Sequence, residues 1–268
     1  MDLVVQLSDW IYLALNGLAG RSWLFDTLLS VPIDNDLVKA GPVGGAFVYA
    51  WWSCRDPADL RRRRATLLVT VAALLLVMAT TKALGSQLFL PRPFVHAQQA
   101  WHLQDGRLVE TQRLPYRRPL NGEVRTRTQS LERGELDSND LVSFPSDHAG
   151  FFFALSLGIF LASRRAGAVA LAWTVAAILL PRIVTGMHSP LDIVAGAGIG
   201  AAVLLAVQWA ARRAGQWALQ PLAGWTLRHE GLAAAFLFLF VAASADVLVD
   251  VRELAGTGRD IVEHMAGV

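Results

Sequence analysis

The 268-residue chain is 54% hydrophobic with a positive mean hydropathy, which is too apolar for an ordinary soluble domain of this length and points to a membrane. Its formal charge of +2 is a mild basic bias, and the arginines behind it are clustered rather than spread along a helix face, which argues against nucleic acid as a partner. The single cysteine, Cys54, excludes an intrachain disulfide and makes a cysteine metal cluster implausible.

The first residues, Met1 to Asp9, have no basic region and no small-residue cleavage site, so a removable signal peptide is not expected and the first spanning segments do the targeting. Residues 3–32 alternate apolar positions with Gln6, Ser8, Asp9, Asn16, Arg21 and Asp26, a pattern suited to an amphipathic helix lying at the membrane interface. Stretches long enough to cross a bilayer follow at about 37–54, 65–90, 149–162, 166–186, 190–211 and 231–249. The expected architecture is therefore all-α: a polytopic membrane bundle of about six transmembrane helices behind an N-terminal interfacial segment, residues 1–36. Residues 37–211 form its core, and 212–268 are a C-terminal extension with one further span.

Orientation follows from the arginines, because short loops rich in Lys and Arg stay in the cytoplasm. Arg55 and Arg61 to Arg64 follow the first span, Arg164 and Arg165 the third, and Arg212 and Arg213 the fifth, so all three clusters fall on one side. Trp51, Trp52 and Trp209 lie near those ends, where interfacial aromatic belts place them, although packing explains each one singly as well. The long polar connection 94–147 then lies on the extracytoplasmic side. It carries mixed charges and turn formers such as Asn121-Gly122 without sustained periodicity, and reads as a functional or loosely ordered loop. Gly196 and Gly200 suit close helix packing.

Three polar clusters interrupt the apolar pattern, each at a helix end on the inferred outer side. In Leu90-Pro-Arg-Pro-Phe94, two prolines fix the backbone around Arg92, which suits a phosphate clamp or a lipid-headgroup anchor. In Phe144-Pro-Ser-Asp-His-Ala-Gly150, Ser146 and the following amides sit at a helix N-terminus that favours anions, and His148 titrates near neutrality and suits a proton donor. Simple helix capping by Ser146 and Asp147 explains the same string. In the third cluster, Arg182 lies near the end of a span, where a charge needs a polar partner or cavity. His188 is followed four residues later by Asp192, a spacing that lets the carboxylate hold the imidazole tautomer and leave the other nitrogen nucleophilic. A metal role for that pair lacks a completing ligand in sequence, so neither metal nor cofactor is expected.

Arg92-Pro93, Pro145-Ser146-Asp147-His148 and Arg182 with His188 and Asp192 resemble the three signature motifs of the type 2 phosphatidic acid phosphatase superfamily, and the resemblance spans about residues 37–211. Pro91-Arg-Pro-Phe-Val95 and Phe144-Pro-Ser-Asp-His148 look most like the bacterial undecaprenyl-diphosphate phosphatase branch. The resemblance implies a metal-independent reaction. By that resemblance His188 would form a phosphohistidine, Asp192 would orient it, His148 would move the proton, and Arg92, Arg182 and Ser146 would bind phosphate. Three departures stand out. The lysine usual seven residues before the first-motif arginine is replaced by Gly85, with Lys82 three residues earlier, nearly one helical turn away. Lys82 therefore suits either a phosphate contact or an ion pair. Pro181 stands where a serine commonly precedes the arginine, and Asp147 where many members have glycine; Asp147 suits tuning of His148 or a diphosphate preference. His96 and His102 follow the first motif as loop histidines, and His229 and His264 have no neighbouring constellation.

The expectation is a multi-pass protein of the bacterial cytoplasmic membrane whose reaction centre faces outward and whose partners are the bilayer and a lipid phosphate. Undecaprenyl diphosphate leads as substrate, ahead of phosphatidic acid, phosphatidylglycerol phosphate and lipid A phosphate. Phosphotransfer between lipids, non-catalytic lipid binding or transport, and vanadate-dependent halide oxidation are the alternatives. The last is disfavoured because those relatives are soluble.

Overall fold

The computed structural model describes residues 2–88, 90–96, 101–104, 107–110, 115–213, 220–235 and 247–266. The fold is helical, with one two-stranded hairpin. Helices α1 (Asp2–Asn16), α2 (Trp23–Asp34), α3 (Asp36–Trp52) and α4 (Pro57–Gly85) precede the first motif. A short α5 (Pro93–His96), the antiparallel strands β1 (Trp101–Gln104) and β2 (Arg107–Glu110), α6 (Gly122–Glu132) and a 3-10 turn (Ser138–Leu141) fill the long connection. Then come α7 (Asp147–Ala162), α8 (Arg164–Trp173), a π-helical segment (Thr174–Leu179) running into α9 (Leu180–Val184), α10 (Pro190–Arg213), α11 (Gln220–Arg228) and α12 (Val247–Ala266).

Among the described residues, three helical stretches are long and apolar enough to cross a membrane: Pro57–Gly85, Arg164–Val184 and Pro190–Arg213. They make the chain a multi-pass membrane protein. Helix α7, with 16 residues, and α3, with 17, are shorter than a typical span. The expected sixth span, about 231–249, lies largely outside the described residues. Local chemistry sets the ends of these helices. Pro57 opens α4 where a missing N–H costs nothing, and the Asp56 side chain accepts from Asp59 N at 2.9 Å.

The chain divides into two compact units, and α4, α7 and α10 each contribute residues to both. The first unit comprises residues 1–34, 78–151 and 175–199. In it α1 packs on α9, α2 on α9 and α6, and α5 on α6, around a core of Ile33, Phe94, Val95, Val124, Leu131 and Met187. The connection expected to be an irregular loop is thus built into this core. Val124, Thr128 and Leu131 form a buried stripe at helical spacing on α6, hidden in the sequence because charged residues and a threonine surround it.

The N-terminal helices are turned inside out relative to a soluble amphipathic helix. Several of their polar residues point inward: the Asn16 amide donates to Val184 O at 2.8 Å and Arg117 O at 3.0 Å, and its oxygen accepts from Arg117 N at 2.7 Å. Asp26 accepts from Gly20 N at 3.0 Å and Leu120 N at 2.8 Å, and Ser8 accepts from Leu191 N at 3.2 Å. The apolar Leu3, Val4, Val5, Leu7 and Trp10 are exposed on α1, together with Gln6 and Ala14.

The second unit comprises residues 35–77, 152–174 and 200–268. Here α3 packs on α8 and on α12. Glycines permit two close approaches. A Cβ on Gly158 would lie 2.2 Å from a Thr70 side-chain atom, and one on Gly167 would lie 2.0 Å from the Phe160 backbone. Arg64 is fully buried, donating to Trp51 O at 3.3 Å, to Thr226 O at 2.9 Å and to Glu230 at 3.0 Å.

Candidate active site

The third motif is assembled by two helix caps in succession. Helix α9 ends in a Schellman arrangement: Gly186 N donates to Ile183 O at 3.1 Å and Met187 N to Arg182 O at 2.9 Å, with Gly186 at φ 81°. A side chain at Gly186 would collide with Tyr116, its Cβ 2.6 Å from the ring. His188 N also donates to Arg182 O at 3.1 Å, so the cap draws the histidine back beside the arginine. Helix α10 then opens on a reciprocal capping box, with Ser189 N donating to Asp192 Oδ2 at 2.7 Å and Asp192 N to Ser189 Oγ at 3.2 Å. His188 consequently precedes α10 rather than sitting one helical turn below Asp192.

That placement changes how the pair communicates. Asp192 Oδ2 is 3.8 Å from His188 Nδ1, too far for a good hydrogen bond. Ser143 bridges the gap: its Oγ lies 2.6 Å from Asp192 Oδ2 and 3.2 Å from His188 Nδ1, and its carbonyl lies 3.1 Å from the same nitrogen. A carboxylate only accepts, so the Ser143 hydroxyl donates to Asp192 and presents its lone pairs to the ring. Both neighbours of Nδ1 are then acceptors, so Nδ1 carries the proton and Nε2 keeps its lone pair. Nε2 is buried and has no hydrogen-bond partner among the described residues. Burial, reinforced by the charges of Arg92 and Arg182 and opposed by Asp192, pulls the His188 pKa down to about 4. The imidazole is therefore neutral at physiological pH, the state a nucleophile needs.

The first two motifs meet through main-chain pairing. Ser143 N donates to Leu90 O at 2.7 Å and Arg92 N to Asp140 O at 2.9 Å, forming a short parallel bridge between the segments. Only 12% of the Arg92 side chain is exposed; its Nε lies 3.3 Å from Asn139 O and 3.4 Å from Asp140 Oδ1. Asp140 is in turn held by Arg127 at 2.7 Å. This leaves Arg92 Nη1 buried with no partner among the described residues. Burial depresses the Arg92 pKa, and the Asp140 and Asp147 charges oppose that fall.

Ser146 is fully buried and caps α7, its Oγ accepting from Ala149 N at 3.3 Å, while Ser146 N donates to Asp192 O at 3.1 Å. Gly196 makes this contact between the starts of α7 and α10 feasible, since a Cβ there would lie 2.2 Å from Ser146 O. Asp147 Oδ1 accepts from His148 N at 2.7 Å and lies 2.8 Å from His148 Nδ1. It orients that ring as Asp192 and Ser143 orient the other, and its charge is felt at both Arg92 and His188. Arg182 is buried and its Nη1 donates to Ile178 O at 2.8 Å. That carbonyl belongs to the π-helical turn just before Pro181, whose missing N–H disturbs the regular helical ladder.

Arg92, Ser146, Asp147, His148, Arg182, His188 and Asp192 thus gather in one unit. Lys82 belongs to the same unit. It is exposed in the last turn of α4, and its side chain makes no hydrogen bond or ion pair among the described residues. The sequence reading missed Ser143, and the Arg127–Asp140 pair that steadies Arg92. Ser143 immediately precedes the Phe144-Pro-Ser-Asp-His148 string, a proximity that was its only sequence signal. Among the described residues no group of three or more His, Cys, Asp or Glu side chains could hold a metal ion.

The PAP2 superfamily model matches residues 65–216. Bacitracin transport permease protein BcrC of Bacillus licheniformis is 42% identical over 71 residues, which is 26% of this chain and 34% of that protein. The shared stretch therefore spans about a third of the relative's length. No solved structure gives a significant match.

Proposed function

The chain belongs to the PAP2 superfamily, and on that premise we propose that it hydrolyses a lipid phosphate or diphosphate, with undecaprenyl diphosphate as the leading substrate. The observation that carries this reading is a pair of buried atoms without partners, His188 Nε2 and Arg92 Nη1. Buried polar groups are nearly always satisfied, and a phosphoryl group supplies what both lack: an electrophilic phosphorus for the nitrogen and an anionic oxygen for the guanidinium.

In the proposed reaction His188 Nε2 attacks phosphorus as the bond to the leaving oxygen breaks, and His148 protonates that oxygen. The lipid departs as an alcohol from a monoester, or as a lipid monophosphate from a diphosphate. His148 then takes a proton from water, whose oxygen attacks the phosphohistidine and releases inorganic phosphate with His188 neutral again. Arg92, Arg182 and amides near Ser146 offset the charge of the transferring group, the contribution that dominates phosphoryl-transfer catalysis. Asp147 holds His148, and Asp192 acts on His188 through Ser143. We place the site on the extracytoplasmic face of a bacterial cytoplasmic membrane, opposite the arginine-rich loops. Undecaprenyl diphosphate leads because the wording of the first two motifs leans toward that branch. Phosphatidic acid, phosphatidylglycerol phosphate and lipid A phosphate, and transfer to a second lipid, are the competing outcomes.

The name of the BcrC relative describes transport, which favours a second reading in which the chain binds or moves a lipid without cleaving it. One experiment separates the two. Phosphate release from undecaprenyl diphosphate, phosphatidic acid and phosphatidylglycerol phosphate is measured with detergent-purified protein in chelator, alongside His188→Ala. Chelator-resistant release that falls at least about a thousandfold in the variant establishes the hydrolase, and the preferred lipid identifies the substrate. A folded protein that releases phosphate from none of them sinks this reading and supports the transport one.

A further inference from the structure

The second unit contains a cavity system that this chemistry does not use. One cavity, of about 450 Å³, is lined by Arg61, Arg62, Arg63 and Arg212, with Leu161 and Ala162 as apolar wall. A second, of about 640 Å³, shares Arg62, Arg63, Leu161 and Ala162 and adds Arg164, Arg165 and Ser163. The three arginine clusters that the sequence scatters over three loops therefore converge on one concave surface. Asp59, paired with Arg62 and Arg63, is the carboxylate that offsets them. Arg61, Arg164, Arg165 and Arg212 make no ion pair among the described residues.

A membrane-topology signal requires only charge on the correct side and needs no shaped site. Two features go beyond it. Ser163 is 9% exposed and stands as the N-cap of α8, yet its hydroxyl caps no helix amide and makes no hydrogen bond among the described residues. It lines the second cavity at the start of a ten-residue helix whose first amides point their N–H groups toward it. The second feature is the setting. Tyr49, also on the cavity wall, is exposed, as are Trp52 and Trp209 elsewhere in this unit, the aromatic signature of a membrane–water boundary.

We infer that this cavity is a binding site for the phosphate headgroup of an anionic phospholipid, with the free arginines and the α8 N-terminus on the phosphate and Leu161 and Ala162 against the glycerol and upper acyl chain. The exposed aromatics favour a lipid over a free phosphate ion, since they place the site where acyl chains are within reach.

Native mass spectrometry of the full chain in a neutral detergent tests this. The protein is titrated with phosphatidylglycerol, a phosphodiester without a terminal phosphate, and with zwitterionic phosphatidylcholine. The wild type should retain one phosphatidylglycerol in preference to phosphatidylcholine. The preference should weaken about fivefold for each of Arg164→Gln, Arg165→Gln and Arg212→Gln as they are combined. These side chains are exposed, so each variant should melt with the wild type. Arg92→Gln, at the other site, should bind phosphatidylglycerol unchanged. Equal retention of both lipids, or undiminished binding in the triple variant, would overturn the site. Displacement of the lipid by equimolar inorganic phosphate would overturn its assignment to a lipid.

Discussion

Arg64 and Arg92 are both buried arginines, one in each unit, and their surroundings give them opposite uses. The Arg64 guanidinium is surrounded by Trp51 O, Thr226 and Glu230, and it stacks on the Trp51 ring at 5.3 Å from the centroid. Its donors are taken up within the protein, so it ties α3 and α4 to α11 and to Glu230 just beyond it. Arg92 is held through Nε by Asn139 and Asp140 while Nη1 lacks a partner. An unused donor on a largely buried guanidinium is what the proposed phosphate-binding role of Arg92 requires. Burial alone does not distinguish a structural charge from a binding one; the accounting of donors does.

The comparison is broken most directly by exchanging the consequences. Arg92→Lys keeps the charge but loses the planar fork, and should lower kcat/KM for phosphate release about 10²- to 10³-fold with little change in melting temperature. Arg64→Ala should do the reverse, destabilising the protein by about 2–3 kcal/mol through stranded carbonyls while the folded fraction keeps its turnover. If both variants lose activity and stability together, the distinction fails.

Ser143→Ala sharpens it next, because this residue joins Asp192 to His188 without touching the phosphoryl group. Turnover should fall about 10- to 100-fold with KM nearly unchanged, and Ser143→Thr, which keeps a hydroxyl, should recover part of it. Full activity in Ser143→Ala would show that the Ser143 carbonyl alone holds the ring.

A smaller effect concerns pH. His188 has a pKa of about 4 when folded against about 6.5 when unfolded, so the unfolded chain binds more protons in that interval. Stability is therefore complete above about pH 6.5 and declines as pH falls toward 4, by roughly 2 kcal/mol at pH 5. His188→Gln should blunt the drop in melting temperature between pH 7.5 and pH 5; an unchanged drop would assign it to other groups. The smallest expected effect is that of Lys82→Ala, which should leave kcat/KM within about twofold of wild type, because an exposed charge without an ion pair among the described residues contributes little. A tenfold loss would return Lys82 to the phosphate site.

The residues gathered at the site were legible in the sequence to the extent that their chemistry is local. Pro91 and Pro93 around Arg92, the capping serine before α7 and the Thr-Gly turn before His188 announce themselves by residue type, since caps and turns are decided by neighbours in the chain. Three of the six expected spans were legible in the same way, because an apolar run of bilayer length has few other uses. The long connection was not. The α6 stripe of Val124, Thr128 and Leu131 is interrupted by charges, and it is recognisable as a core only once Ile33 and Phe94 are beside it.

The polar residues of α1 and α2 show the same limit from the other side. Alternation read as an interfacial face proved to be an inward hydrogen-bonding edge, with Asn16 and Asp26 satisfying the backbone of the connection. By itself, then, the sequence determined the membrane class, the family motifs and most of the apolar helical segments, because periodicity and caps act over a few residues. Only the tertiary structure decided that Ser143 stands between Asp192 and His188 and that Asp140, itself paired with Arg127, holds Arg92. Those outcomes depend on which distant backbones pair, and spacing along the chain carries no record of that.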